Sequence, residues 1–219
     1  MTQSTTRHVL LYGAGGHALV CLETLRDDPS VVVVAAITDT GEGRADLGIG
    51  IRRADETLRN LTESENNTTF CVGIGANDKR QDISRYLTKS GQSLTVMVSS
   101  AAVVSGSARL GDGVQILPGA IVMAATELGD GVIVNTNASI DHDCVVGAYA
   151  HIAPGVAIAG DVKIGERTLV GVGARVLPGL TIGADVVIGG GAVVIDDIAD
   201  GLTVVGNPAR PVERRGAST

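Results

Sequence analysis

The chain has 219 residues, with 30 Gly, three Tyr, one Phe and no Trp, and a formal net charge of -7. That acidic balance leaves no basic footprint for nucleic acid, and no stretch of eighteen apolar residues is present to span a bilayer. So few aromatics leave little for a conventional core, whereas Val, Ile, Leu, Ala and Gly suit a narrow one. Cys21, Cys71 and Cys144 are odd in number and unclustered, as expected in a reducing cytoplasm. The opening MTQSTTRH lacks the long apolar region of a signal peptide, so the expected location is cytoplasmic.

Residues 1–96 alternate between apolar runs and helix-like segments. His8 to Tyr12 (HVLLY) predicts a buried strand, Gly13-Ala-Gly-Gly-His-Ala18 a tight turn, and residues 17 to 27 a helix. Val31 to Ile37 predicts a second strand leading to Asp39. Thr69 to Ile74 predicts a third, followed by Gly75-Ala-Asn77 and a helix from about Asp78 to Ser90. This order implies a small Rossmann-like α/β domain with a parallel sheet, whose ligands bind at the carboxyl ends of the strands. The turn satisfies G-x-G-x-x-A, and Asp39 lies near the place of a ribose-binding acid. The domain is short for two mononucleotide halves, and two readings of the turn stay open. It either lets strand meet helix and nothing more, or forms a mononucleotide or nucleotide-sugar site. In the second case backbone N–H groups and the helix N-terminus receive phosphate oxygens, and Asp39 accepts bonds from ribose or base.

A different rule governs residues 97–204. An aliphatic residue recurs at every sixth position from Val98 and Val104 through Ile140 and Ile158 to Val194, seventeen positions without a miss. Four residues after each comes a small or aliphatic one, such as Ala120, Ala138, Cys144 or Ala174. A period of six is neither a helix nor a lone strand, and it predicts a parallel β-solenoid. Gly111, Gly129, Gly147, Gly165 and Gly183 lie eighteen apart, so one coil is a triangle of three six-residue sides. Five to six coils at the spacing of parallel strands make a prism roughly 27 Å long. Aliphatic side chains fill its interior, and glycines recurring at one corner suggest backbone angles that other residues tolerate poorly. Residues 205–219 form a tail.

Candidates for chemistry are few. Of the four histidines, His8 sits at a strand edge and is structural or idle, and His17 lies in the glycine turn. His142 stands two after Ile140; with Ile140 and Cys144 inward, it projects outward. Asp141 and Asp143 flank it, and either could raise its basicity or fix its ring. His151 follows nine residues later, and Gly160, one coil on, leaves room beside the imidazole for a ligand. Polar residues in a repeat that selects small apolar ones suggest function overriding architecture. Cys144 occupies an inward position and reads as core filler.

The hexad resembles that of the hexapeptide-repeat acyltransferases, which implies a left-handed coil. The chain as a whole resembles the sialic-acid-cluster type (NeuD/PglD-like) sugar acyltransferases, which acetylate nucleotide-linked amino sugars. Three motifs carry that likeness: Gly13-Ala-Gly15-Gly16-His17, Asn135-Thr-Asn-Ala-Ser-Ile-Asp-His142-Asp143-Cys144 and Val205-Gly-Asn-Pro-Ala-Arg210. The resemblance implies His142 as general base, tuned by Asp143, where some relatives carry Glu. It implies contacts to acetyl-CoA from His151, Gly160, Val172 and Gly190. It implies an acceptor site of Gly15, Gly16, His17, Asp39 and Thr40 for the nucleotide, with Asn135 on the sugar. It also implies a homotrimer with active sites between neighbouring prisms.

The expected reaction is direct acetyl transfer from acetyl-CoA to a sugar amine, with no acyl-enzyme and no metal. Rival readings are a sugar O-acetyltransferase or longer-chain acyltransferase, and a nucleotide-sugar-binding scaffold without chemistry. A zinc enzyme on the same prism needs three histidine ligands, and the spacing of His142 and His151 does not suit it.

Overall fold

The sheet that opens the chain owes its form to three short apolar runs and a three-residue edge strand. In the computed structural model, which describes residues 6–60 and 68–212, the chain divides into two units, Met1–Ser100 and Ala101–Thr219. The start of MTQSTTRH and the end of the 205–219 tail therefore lie outside the described residues. In the first unit β1 (Arg7–Tyr12), β2 (Val31–Thr38), β3 (Ile51–Arg53) and β4 (Thr68–Val72) pair in parallel in the order β3-β2-β1-β4. Side chains alternate across it. Leu10, Tyr12, Ile37, Phe70 and Val72 join Ala54 and Leu87 in one core, which brings in helices α2 (Ala54–Arg59) and α3 (Asn77–Lys89). Helix α1 (Gly16–Arg26) buries Ala18, Cys21, Leu22 and Leu25. Strand β3 and helix α2 went unread in the sequence, because Ile51-Arg-Arg is too short to show a period.

Cys21 and Cys71, unclustered along the sequence, meet in the fold. Their hydrogen bond, together with burial, pushes the Cys21 thiol well above its ordinary value. All three cysteines are buried, and none is in a disulfide.

The strand order places a switch point between β1 and β4. The chain steps outward from β1 to β2 and β3, then returns to the opposite edge of β1. Gly13 and Gly73 pack back to back there. A Cβ on Gly13 (φ +119) would lie 2.9 Å from the Gly73 carbonyl oxygen, and one on Gly73 would lie 2.8 Å from the Ala18 Cα. Gly13 thus has a packing task of its own.

In the second unit a two-residue strand recurs every six residues, and strands eighteen apart pair in parallel. One face runs from Gln115–Ile116 through Ile133–Val134, His151–Ile152 and Leu169–Val170 to Val187–Ile188. A second comprises Val103–Val104, Ile121–Val122, Ser139–Ile140, Ala157–Ile158, Arg175–Val176 and Val193–Val194. The third holds Arg109–Leu110, Glu127–Leu128, Val145–Val146, Lys163–Ile164 and Thr181–Ile182. The tail adds an antiparallel strand, Arg210–Pro211, against Thr203–Val205.

From Ile116 to Val194 every sixth aliphatic residue is buried. The first three of the series depart from the expected interior: Val98 is exposed, while Val104 and Leu110 are half-buried. Val104 and Leu110 stand in the first strand of their faces, with a paired coil on one side only.

The corner glycines also differ from expectation, in cause. None of the five at 111, 129, 147, 165 and 183 has a left-handed backbone. They are glycine because coils pack tightly there: a Cβ on Gly147 would lie 2.5 Å from the Glu166 nitrogen, and one on Gly129 2.7 Å from that of Ala148. The left-handed residue comes two positions later and recurs every six from Gly113 to Gly191. Asn137, Asp143, Asp161 and Asp185 hold that place at φ 55 to 58, as befits residues that tolerate it best after Gly.

Candidate active site

His142 sits at the corner between the second and third faces, immediately before a left-handed Asp143 (φ 58). The turn aims the Asp143 carboxylate back at the ring, and His142 Nδ1 donates to Asp143 Oδ2 at 2.7 Å. On the other side the His142 backbone N–H donates to Asp141 Oδ1 at 2.8 Å. The bond to Asp143, then the nearby charges of Asp141 and Asp161, raise the His142 pKa above its ordinary value. With Nδ1–H committed to Asp143, Nε2 carries the lone pair, and the ring is well exposed, at 60%. That is the arrangement of an oriented base able to take a proton from outside.

Gly160 lies directly beneath. A Cβ there would stand 2.7 Å from His142 Cε1 and 2.8 Å from Nε2. The room expected for a ligand is thus filled by the imidazole itself, and Gly160 lets the ring lie flat on the next coil. Cys144, two residues on, is fully buried with Sγ 3.2 Å from the Ala159 carbonyl. Burial pushes its thiol up, so it is packing and not a thiolate nucleophile.

Asn135, His151, Val172 and Gly190 gather elsewhere, around the corner between the first and second faces. Asn135 Nδ2 donates to His151 Nε2 at 3.0 Å, and its Oδ1 accepts from the Thr136 N–H at 2.8 Å. Val172, which is exposed, stacks one coil before Gly190, whose Cβ would lie 3.3 Å from the Val172 carbonyl oxygen. A backbone ladder ties that corner: Gly155 N–H to Thr136 oxygen, Gly173 to Pro154 and Gly191 to Val172, at 2.8–2.9 Å. Within one chain the expected cofactor residues are therefore split, with Gly160 at the His142 corner and the others one side of the triangle away. The second face spans the gap. It exposes Val103, Ile121, Met123, Leu177 and Ile195, and carries a groove of about 530 Å³ lined by Met123, Asp141, Ala159, Arg175 and Leu177 among others.

In the first unit Gly15 and Gly16 are exposed and His17 is half-buried at the start of α1. A Cβ on Gly15 would meet nothing within 4 Å. Asp39 and Thr40 follow β2 and are exposed. Tyr12, which the sequence reading used only as strand core, donates its hydroxyl to Asp39 Oδ1 at 2.5 Å. Burial and that bond raise the Tyr12 pKa, so it stays a donor. The pair borders a cavity of about 440 Å³ with Arg53, Asp82 and Tyr86. The signal missed was a tyrosine ending an apolar strand, where its polar tip needs a partner. Among the described residues no group of three or more His, Cys, Asp or Glu is placed to hold a metal ion, and no helix is long and apolar enough to cross a membrane.

A small parallel α/β unit, a left-handed parallel β-helix of hexapeptide coils and an exposed histidine–carboxylate pair on its corner define a hexapeptide-repeat acyltransferase. Comparison with known proteins narrows the class. Residues 8–87 match the PglD N-terminal domain, and residues 161–196 match the bacterial transferase hexapeptide, six repeats. The acetyltransferase domain of PglB from Neisseria gonorrhoeae is 36% identical, with a TM-score of 0.88 over 94% of this chain and 100% of that one. PerB from Caulobacter crescentus, solved in complex with CoA and GDP-perosamine, is 40% identical, with a TM-score of 0.87 over 94% of this chain and 97% of that one. A histidine-to-asparagine mutant of the Caulobacter perosamine N-acetyltransferase, with the same two ligands, matches equally well at 40% identity, 94% and 97% coverage and a TM-score of 0.88. The chain belongs to the PglD/NeuD-like family of sugar acyltransferases.

Proposed function

We propose that the protein transfers an acetyl group from acetyl-CoA to the amino group of a nucleotide-linked 4-amino deoxysugar, with His142 as general base. The single observation that carries this is the His142–Asp143 pair, an exposed imidazole held by a carboxylate on Nδ1, which leaves the lone pair on Nε2. The kinship to enzymes solved with CoA and GDP-perosamine supports the substrate class.

The amine nitrogen attacks the thioester carbonyl while Nε2 takes a proton from it; the C–N bond forms, the C–S bond breaks, and the CoA thiolate leaves. The imidazolium then returns its proton to the sulfur. Such base assistance is typically worth about 10²–10⁴ in rate, and holding both substrates in one cleft contributes more. Residues 1–96 bind the nucleotide through Gly15, Gly16, His17, Asp39 and Thr40. Residues 97–204 carry the transfer, with Asn135 on the sugar and the 205–219 tail beyond. The chain works as a cytoplasmic homotrimer in surface-polysaccharide or related glycan synthesis. The exposed apolar second face of the prism favours association, since monomers seldom leave such a stripe open. A second chain docked there would also explain why Gly160 and the group of His151, Val172 and Gly190 lie apart: acetyl-CoA would run between chains, beside one chain's His142.

Product analysis tests the proposal. Incubation with acetyl-CoA and UDP-, GDP- or dTDP-linked 4-amino sugars should add one acetyl group that survives hydroxylamine. An acetyl group removed by hydroxylamine would be an ester, and would replace the N-acetyl reading with an O-acetyl one.

A further inference from the structure

We propose that Arg80 is a positioning residue for the acceptor nucleotide: its buried guanidinium turns the peptides of loop 74–77 so that the N–H groups of Gly75 and Ala76 face the ligand crevice. This rests on the nucleotide-sugar reading of the first unit and adds a second wall to that site.

Arg80 is the largest fully buried side chain of the described residues. It lies on the inward stripe of α3 with Ser84 and Leu87, at i, i+4 and i+7, where Leu or Met would serve a core. Burying a guanidinium costs free energy unless its donors are met, so packing alone does not account for it. Its bonds reach back along the chain. Nη1 donates to the carbonyl oxygens of Ile74 at 3.1 Å and Gly75 at 2.9 Å, and Nη2 donates to Asn77 Oδ1 at 2.9 Å. One side chain thus grips both the loop after β4 and the first residue of α3.

That loop stands where a ligand of this fold belongs. In open parallel sheets the binding crevice lies outside the carboxyl ends of the strands, at the point where strand order reverses. Here that is between β1 and β4. The Gly73 N–H donates to the Tyr12 carbonyl at 2.8 Å, which ties the start of the loop to the glycine turn across the crevice.

A peptide bond is planar and trans, so each C=O points opposite to the following N–H. By drawing the Ile74 and Gly75 carbonyls inward, Arg80 turns the N–H groups of Gly75 and Ala76 outward. A Cβ on Gly75 would meet nothing within 4 Å, so that side of the loop is open. Two outward N–H groups at the end of a strand suit the oxygens of a nucleoside diphosphate.

Two measurements test this on the full-length protein. In the wild type, GDP or UDP should slow amide exchange at Gly75 and Ala76 as well as at Gly15 to His17. Protection of the glycine turn alone would overturn the proposal while sparing the nucleotide site. Protection nowhere, with no turnover of any nucleotide sugar, would overturn both. In Arg80→Lys and Arg80→Met, the KM for the amino-sugar nucleotide should rise roughly tenfold, as expected for loss of one or two directed hydrogen bonds. The KM for acetyl-CoA and kcat should hold. Folded variants with an unchanged acceptor KM, or with both KM values rising together, would show a purely structural arginine.

Discussion

In the prism a residue's task is set by its place in the hexad, whereas in the α/β unit it is set by loops whose course no period dictates. The difference decides what stands out. The interior series from Ile116 to Val194 and the left-handed series from Gly113 to Gly191 give two positions of every hexad a task of packing or backbone shape. His142 belongs to neither series, and neither shape nor packing accounts for an imidazole there. In the first unit Gly13 has a packing task and Gly15 has none, yet both stand in one glycine-rich string. Regularity therefore exposes function in the prism, and irregular loops conceal it in the sheet.

Five changes would break or sharpen this contrast. His142→Ala removes the departure from the repeat to which the proposed function assigns the base. It should lower kcat by about 10²–10⁴ with the melting temperature unchanged, as steady-state kinetics and thermal melts would register. Gly160→Ala places a Cβ 2.7 Å from His142 Cε1. The ring must tilt or shift, and a displacement near 1 Å costs on the order of 10²-fold in kcat; an unchanged rate would show that ring placement on the coil is unimportant.

The glycines of the two units should part ways in calorimetry. Gly147→Ala forces a Cβ to 2.5 Å from the Glu166 nitrogen and should cost about 1–3 kcal/mol, as overpacking does. Gly15→Ala meets open space and should stay within about 0.5 kcal/mol, while raising the acceptor KM. The smallest effect concerns pH. A base must be neutral to act, and Asp143 raises the His142 pKa, so the acid limb of kcat/KM should lie above an ordinary histidine's pKa. Asp143→Asn should move that limb to lower pH; a limb that stays in place would mean that another group titrates.

Much of this was legible in the sequence, for reasons that particular residues make plain. The hexad fixed the faces of the prism because each coil must repeat the same inward side chain. His142 was found because it broke that pattern. The glycines at 111 to 183 were found as well, but their cause was misjudged: close approach between coils is a contact across eighteen residues, and only three dimensions display it. The Tyr12–Asp39 bond and the meeting of Cys21 with Cys71 were illegible for the same reason, since each depends on chain returning from a distance, while strand β3 was too short to show a period. Arg80 was hidden in another way: a charged residue within the hydrophilic string Asn77-Asp-Lys-Arg80 looks solvated until the helix is seen to turn it inward.

The central claim, that an acyltransferase of nucleotide amino sugars works through the prism's corner histidine, is tested most directly by turnover. Free thiol released from acetyl-CoA should be followed against UDP-, GDP- and dTDP-linked 4-amino sugars, with the corresponding 4-hydroxy sugars as controls. The account predicts thiol release with at least one amino sugar and none with its hydroxy counterpart. Nucleotide-sugar binding without thiol release across the whole panel would contradict it and leave a binding scaffold in place of an enzyme.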